Sequence, residues 1–305
     1  MRYSGFLLFL VVCCMSGLHT VQAQTATAPD NTYLPGSDFS LQGALDLFKK
    51  ANSPEEFEKM LNTEGNGVNN LDLNNDGQID YIRVVDIGQG NDQVFVLQVP
   101  VSETENQDVA TIEIEKDGDN SATVQIVGDE DLYGDQKIVE PVYDDAVYQD
   151  NPSPSGVYTT NDRVVNVWEW PMVRYIYAPT YVVWVSPWSW RARPVWWHPW
   201  RPVERRVFYK SAHAYRGYVV VHNNRMVNAR KIYTPVRVTS VTVARRNQAA
   251  ITHYRTTRTV ERQNINRGPG NKQIRSSRTT TVRKGNPGGG SGKATRTTTT
   301  VRKRR

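Results

Sequence analysis

Apolar residues recur at helical spacing in two stretches near the start of the chain. Phe39, Leu41, Ala44, Leu45, Leu47 and Phe48 form a broad apolar face between about Asp38 or Ser40 and Ala51. Lys49 and Lys50 follow where a helix C-terminus favours cations. A second helix starts at Ser53, with Pro54 at its first position and Glu56 completing a capping box. Phe57, Met60 and Leu61 make its buried stripe, and Gly65 and Gly67 end helical order.

The period then changes from helical to alternating. Tyr81–Ile87 is apolar on both faces, as a central strand is, and Gln93–Val101 follows after a Gly90-Asn91-Asp92 turn. Val109–Lys116 puts Ala110, Ile112 and Ile114 on one face and Thr111, Glu113 and Glu115 on the other. Ser121–Gly128 repeats that alternation after the turn Asp117–Asn120. The pattern predicts an α+β fold, with two N-terminal helices packed on one face of an antiparallel four-stranded meander. Glu113 and Glu115 would then lie on the wet face as solvated acids rather than a catalytic pair.

Beyond residue 135 the pattern weakens. Residues 136–163 read as a polar connector, and 164–245 as a small Trp-, Tyr- and Pro-rich β module. All eight Trp fall between Trp168 and Trp200. The uncharged run Tyr175–Trp190 spans only 16 residues and is broken by Pro179 and Pro187, which argues against a membrane-crossing helix. Gly217–His222 and Arg225–Tyr233 are expected to form a hairpin around Asn223-Asn224, and Val236–Val243 a last strand. Residues 246–305 read as a disordered Arg/Thr/Gly-rich basic tail. From Arg246 onward sixteen Lys and Arg face one acid, Glu261, and RTTTVRK from Arg278 returns as RTTTTVRKRR from Arg296.

The N-terminus carries a targeting pattern. Arg2 precedes the apolar run Phe6–Met15, and small and polar residues lead to Ala23. This predicts a secretory signal peptide over residues 1–23, cleaved after Ala23 and followed by a linker over 24–36. Val12 before Cys13 and Cys13 before Cys14 disfavour a lipoprotein signal. Both cysteines lie inside the peptide, so disulfides, thiol catalysis and cysteine metal sites are not expected in the mature chain.

The formal charge of +6 conceals a split: residues 1–150 carry a net −20 and residues 151–305 a net +26. Two bodies of opposite charge are expected to contact each other, or the basic half to contact anionic polymers or a membrane surface. For such a surface contact the candidates are Arg191, Arg193, Trp196, Trp197, Trp200 and Arg201, with Arg302, Lys303, Arg304 and Arg305 at the end of the tail. Aromatic rings between arginines can stack on sugars or bases, or sit at a membrane interface. The competing reading makes the same aromatics a core or an assembly face. No specific nucleic-acid partner is expected.

One stretch predicts metal chemistry. DLNNDGQIDY, Asp72–Tyr81, places oxygens at Asp72, Asn74, Asp76, the Gln78 carbonyl and Asp80, with Gly77 at the turn. Hard oxygens on alternate residues let the backbone wrap one cation at roughly 2.3–2.6 Å, so calcium is the expected cofactor. The competing reading is a polar Asn/Asp/Gly turn ahead of a strand. The stretch resembles the loops of EF-hands, dockerins and integrin-type repeats. Unlike an EF-hand it carries Arg83 at the twelfth position and leads into a strand rather than a helix; Asp86 is a candidate for the missing ligand. His198, His213, His222 and His253 show no ligand spacing, and no nucleotide-binding, nucleophile-elbow or zinc-protease motif is found.

SPEEFEKMLN, VNNLDLNNDGQIDYIRVVD, DVATIEIEK, IVGDEDLYG and the YVVWVSPW region together make the chain similar to uncharacterised secreted proteins of Bacteroidota-type Gram-negative bacteria. The resemblance covers roughly residues 36–200. It implies an exported protein of the envelope, at the periplasm or outer surface, and implies no activity. The expectation is therefore a non-enzymatic calcium-binding structural or binding protein. The alternative is a secreted enzyme of unassigned type, with glycans as a candidate substrate class, that uses carboxylates of the acidic half.

Overall fold

A computed structural model describes residues 33–143 and 164–265, with side chains described as far as residue 258. The expected signal peptide, most of the linker, much of the connector, the near repeat and the candidates Arg302, Lys303, Arg304 and Arg305 lie outside the described residues.

Two helices come first, α1 (Leu41–Lys50) and α2 (Pro54–Leu61). Both start on a serine: Ser40 Oγ accepts from Gly43 N at 3.1 Å, and Ser53 Oγ from Glu56 N at 3.2 Å. Glu56 reaches back one residue further than the capping-box pattern predicts. Its Oε2 accepts from Asn52 N at 2.8 Å and from Asn52 Nδ2 at 2.9 Å. Either serine cap is worth about 1 kcal/mol.

The strands are β1 (Arg83–Asp86), β2 (Asp92–Pro100), β3 (Asn106–Gly118) and β4 (Ser121–Gly128), paired as the predicted antiparallel meander. The short helix α3 (Glu130–Tyr133) follows. The meander then continues into β5 (Lys137–Pro141), which occupies the start of the expected connector. The sixth strand, β6 (Tyr218–Val221), comes from the aromatic region and pairs with β5. The sheet therefore has six strands in sequential order rather than four, and both charge halves contribute to it.

The aromatic region is mostly helix and irregular chain, not a separate β module. It holds α4 (Pro171–Ile176), α5 (Arg205–Ala212) and α6 (Val227–Tyr233). The expected hairpin partner of β6 is α6, and Val236–Val243 leads into α7 (Val241–Ile265) rather than forming a strand. The alternation over residues 217–243 was too short to separate strand from helix. The first twenty residues of the expected tail also lie in α7. There Ala250 and Ile251 pack with Leu34, a contact that composition cannot reveal.

Both faces of the sheet are covered. Phe95, Leu97, Ile112, Ile114, Val124 and Ile126 pack against α1, α2 and α4, where Phe48 meets Phe57 edge-on at 5.3 Å. Val94 and Val96 point the other way, against Met226, Ala229 and Tyr233 of the α6 region. Glu113 is consequently fully buried, not solvated. It accepts from Thr111 Oγ1 at 3.1 Å and Gln125 Nε2 at 2.6 Å. Glu115 accepts from the Asn228 and Ala229 amides at the start of α6, where a carboxylate complements the positive end of the helix dipole.

The aromatic region also covers a strand edge. Ser186 N donates to Val84 O at 3.0 Å and Asp86 N donates to Trp184 O at 2.8 Å, so residues 184–186 run beside β1. These bonds satisfy groups that an open edge would present to other chains.

Candidate functional site

The Asp72–Asp80 loop connects the helices to β1. Asn75 and Gly77 adopt positive φ, 60° and 80°, and this wraps the chain tightly. The loop is closed by its own side chains. Asp72 accepts from Asp76 N at 3.1 Å and from Gly77 N at 3.0 Å, one oxygen for each. Asn74 Oδ1 accepts from Asp76 N at 2.8 Å, and Asp76 Oδ1 from Gln78 N at 2.8 Å. Asn74 Nδ2 donates to Asp76 Oδ2 at 2.9 Å. The oxygens of residues 72, 74 and 76 are thus strung along one turn with lone pairs to spare.

Asp80 behaves differently. It is buried, and one carboxylate oxygen accepts from Leu73 N. Burial pushes its carboxyl up to about 7. The Leu73 N–H opposes the rise, Asp72 and Asp76 add to it, and Arg193 pulls it back. Asp86 is engaged elsewhere, by Tyr181 Oη and Gly88 N. Among the described residues no three His, Cys, Asp or Glu side chains converge as a metal cage. The donor set that suits calcium here is mixed: carboxylates of Asp72 and Asp76, the Asn74 amide and the Gln78 carbonyl, with Asp80 held back by Leu73.

The fold brings this loop against the aromatic region. Ile79 N donates to Trp200 O at 2.8 Å, and Leu73 O accepts from Arg246 of α7. The Arg193 guanidinium lies 5.6 Å from the Tyr81 ring centroid, 5.7 Å from Trp197 and 5.8 Å from Trp190. Tyr81 and Trp197 meet edge to face at 5.1 Å. Burial draws the Arg193 pKa down, and Asp80 chiefly opposes that. Between loop and aromatics lies a cleft of about 340 Å³. Two features legible separately in the sequence therefore share one site.

Of the other surface candidates, Trp196 and Trp200 border this site, the Trp196 ring 6.4 Å from that of Tyr81, while Arg191 turns away from it. Arg191 pairs with Glu103 on the surface. Trp196 is 45% exposed, with the Lys59 ammonium 5.7 Å from its ring. Trp200 is half-buried against Trp197 at 6.4 Å, and Arg201 is exposed.

Opposite charges meet at several points in the fold. Arg237 contacts Asp129 at 2.6 Å, Asp131 at 2.8 Å and Glu130 at 3.6 Å; Arg258 meets Asp135 at 2.9 Å. The buried carboxylates are held by protein donors. Asp108 accepts from Gln98 Nε2 at 2.6 Å, Tyr233 Oη at 3.0 Å and Val238 N at 2.8 Å. Glu58 accepts from Tyr81 Oη at 2.7 Å, Val84 N at 2.7 Å and Ser186 Oγ at 2.9 Å. Glu58 carried a sequence signal only as a helix residue; its contacts depend on residues up to 128 positions away.

No helix among the described residues is long and apolar enough to cross a membrane. No family model matches the chain, and comparison with curated proteins and with solved structures returns no match.

Proposed function

We propose that the chain is an exported calcium-binding structural or binding protein of a Gram-negative envelope, which contacts anionic polymers through its basic, aromatic half. The observation that carries this reading is the closure of the Asp72–Asp76 turn on its own carboxylate and amide oxygens, beside an arginine-and-tryptophan cleft. A cation in that turn would be structural: it would fix the loop that seats Ile79 on Trp200 and Leu73 on Arg246. Anionic polymers match the charge excess of residues 151–305.

The test is a thermal melt of the chain without residues 1–23, in chelator and across a calcium series, beside the Asp72→Asn and Asp76→Asn variants. The reading expects calcium to raise the melting temperature of the parent chain only. An identical melting temperature in chelator and at several millimolar calcium refutes the metal site. Recovery of the tagged full-length protein in the cytosolic fraction refutes export.

A further inference from the structure

We propose that the cleft between the Asp72–Asp80 loop and the Arg193–Trp197 turn binds a sugar ring that carries a carboxylate, as in a uronic-acid unit of an acidic glycan. This rests on the anionic-polymer reading above and gives it a site.

The first observation is a pair of donors without acceptors. Arg193 Nη1 and Trp197 Nε1 are buried and make no hydrogen bond in the protein, and Trp197 as a whole is 8% exposed. Both nitrogens are closed to solvent, and leaving a buried donor unmade costs about 1–3 kcal/mol, so a small side-chain shift that opens either one to an acceptor in the cleft is favoured. Guanidinium and indole nitrogens only donate, so the complement must be an oxygen acceptor. Beside a guanidinium the strongest such acceptor is an oxyanion.

The cleft lining supplies the rest of the ligand's chemistry. Trp190 and Pro199 offer apolar surface suited to the C–H face of a pyranose, over a floor made by the buried Tyr81 and Trp197. Asn74, Asp76 and Gln78 stand among them with acceptor groups for ring hydroxyls. The volume of about 340 Å³ lies at the small end of ligand sites, which fits one sugar unit with its neighbours extending outward. Asp76 and Asp80 also decide between oxyanions. The exposed Asp76 carboxylate, with Asp80 once ionised, repels a dianionic phosphate more than a monoanionic carboxylate.

The experiment is calorimetry on the chain without residues 1–23, in chelator and in calcium. The probes are trigalacturonate, neutral maltotriose, glucose 6-phosphate and AMP. Trigalacturonate is expected to bind ahead of the other three. Trp197→Phe keeps a ring but removes the donor, and Arg193→Met removes the charge; each is expected to weaken trigalacturonate about tenfold or more. Should either variant fold poorly, the indole N–H proton resonances of the parent chain give the same answer. One indole resonance must shift on adding trigalacturonate and stay still with maltotriose.

Equal affinity in parent and variants overturns this site, and if polygalacturonate still binds all three the anionic-polymer reading survives. Absence of binding by any acidic glycan overturns both. Tighter binding of AMP or glucose 6-phosphate than of trigalacturonate overturns the sugar-carboxylate assignment. Calcium binding is read separately, from the melting shift.

Discussion

Ser186 Oγ donates to Glu58 Oε1 at 2.9 Å, joining residues 128 positions apart in the chain. The bond ties the aromatic segment to α2. The same carboxylate holds Tyr81 and the Val84 amide, so one acid fixes the exit of the candidate loop, the first strand and the segment that covers its edge. Ser186→Ala removes this bond and a long one that Ser186 Oγ accepts from Trp188 N at 3.4 Å, and leaves the other two bonds to Glu58. The expected loss is about 1.5–3 kcal/mol, the range for a hydrogen bond to a charged group, measured by urea unfolding.

Glu58 also makes a pH prediction. Burial raises its carboxyl pKa, against the Val84, Tyr81 and Ser186 bonds that lower it. A raised native pKa gives stability that is fully present below the unfolded value of about 4.3 and is lost as pH rises through the native one. Glu58→Gln does not titrate. Its stability relative to the parent chain should therefore improve between pH 4 and pH 7.5. A difference independent of pH would show that Glu58 ionises in the native state as it does when unfolded.

Arg237 supports the buried Asp129, whose side chain is 2% exposed against 23% for the arginine. Arg237→Met leaves that carboxylate without its cation, which should cost about 3–5 kcal/mol near neutral pH. Asp129→Asn in the same chain should return part of the loss. The defect of the single variant should shrink on acidification. Burial already raises the Asp129 pKa, and removing the cation raises it further, so the cost vanishes once the group is protonated in both states.

Gly134 tests the docking of α7. Its φ is +75°, and a Cβ there would come within 2.3 Å of the Tyr254 ring, while its carbonyl accepts from Arg255 Nε at 2.7 Å. Gly134→Ala should lose about 1–2 kcal/mol from left-handed strain alone and more from the clash. It should also speed proteolysis around residues 250–258. Gly77→Ala is the comparison: φ is +80° with nothing within 4 Å, so only the strain remains.

On the proposed calcium site, calcium at about 1 mM with a dissociation constant of roughly 10⁻⁴–10⁻³ M should stabilise the chain by about 0.4–1.4 kcal/mol. For a chain of this size that is a rise of roughly 1–6 °C in melting temperature, read by differential scanning fluorimetry. Asp72→Asn should abolish the rise. It also removes one carboxylate oxygen from the turn that Asp76 and Gly77 amides close, so its apo melting temperature should fall slightly.

The sequence by itself determined the elements whose signals are local. Ser40, Ser53 and Pro54 announce where α1 and α2 begin, because a helix start needs nearby side chains to satisfy its free amides. The alternation in Val109–Lys116 and Ser121–Gly128 placed β3 and β4, and Gly77 placed the turn of the candidate loop. The tertiary structure alone decided what covers each face. Glu113 reads as wet from alternation yet is buried, because α6 arrives from more than a hundred residues away. It also decided that Arg193 and Trp197 stand beside Asp80, and that the start of a basic, apolar-poor segment becomes a helix packed on the body. Periodicity reports only whether a position is apolar; the partner that buries it is set by long-range packing, which no window of sequence contains.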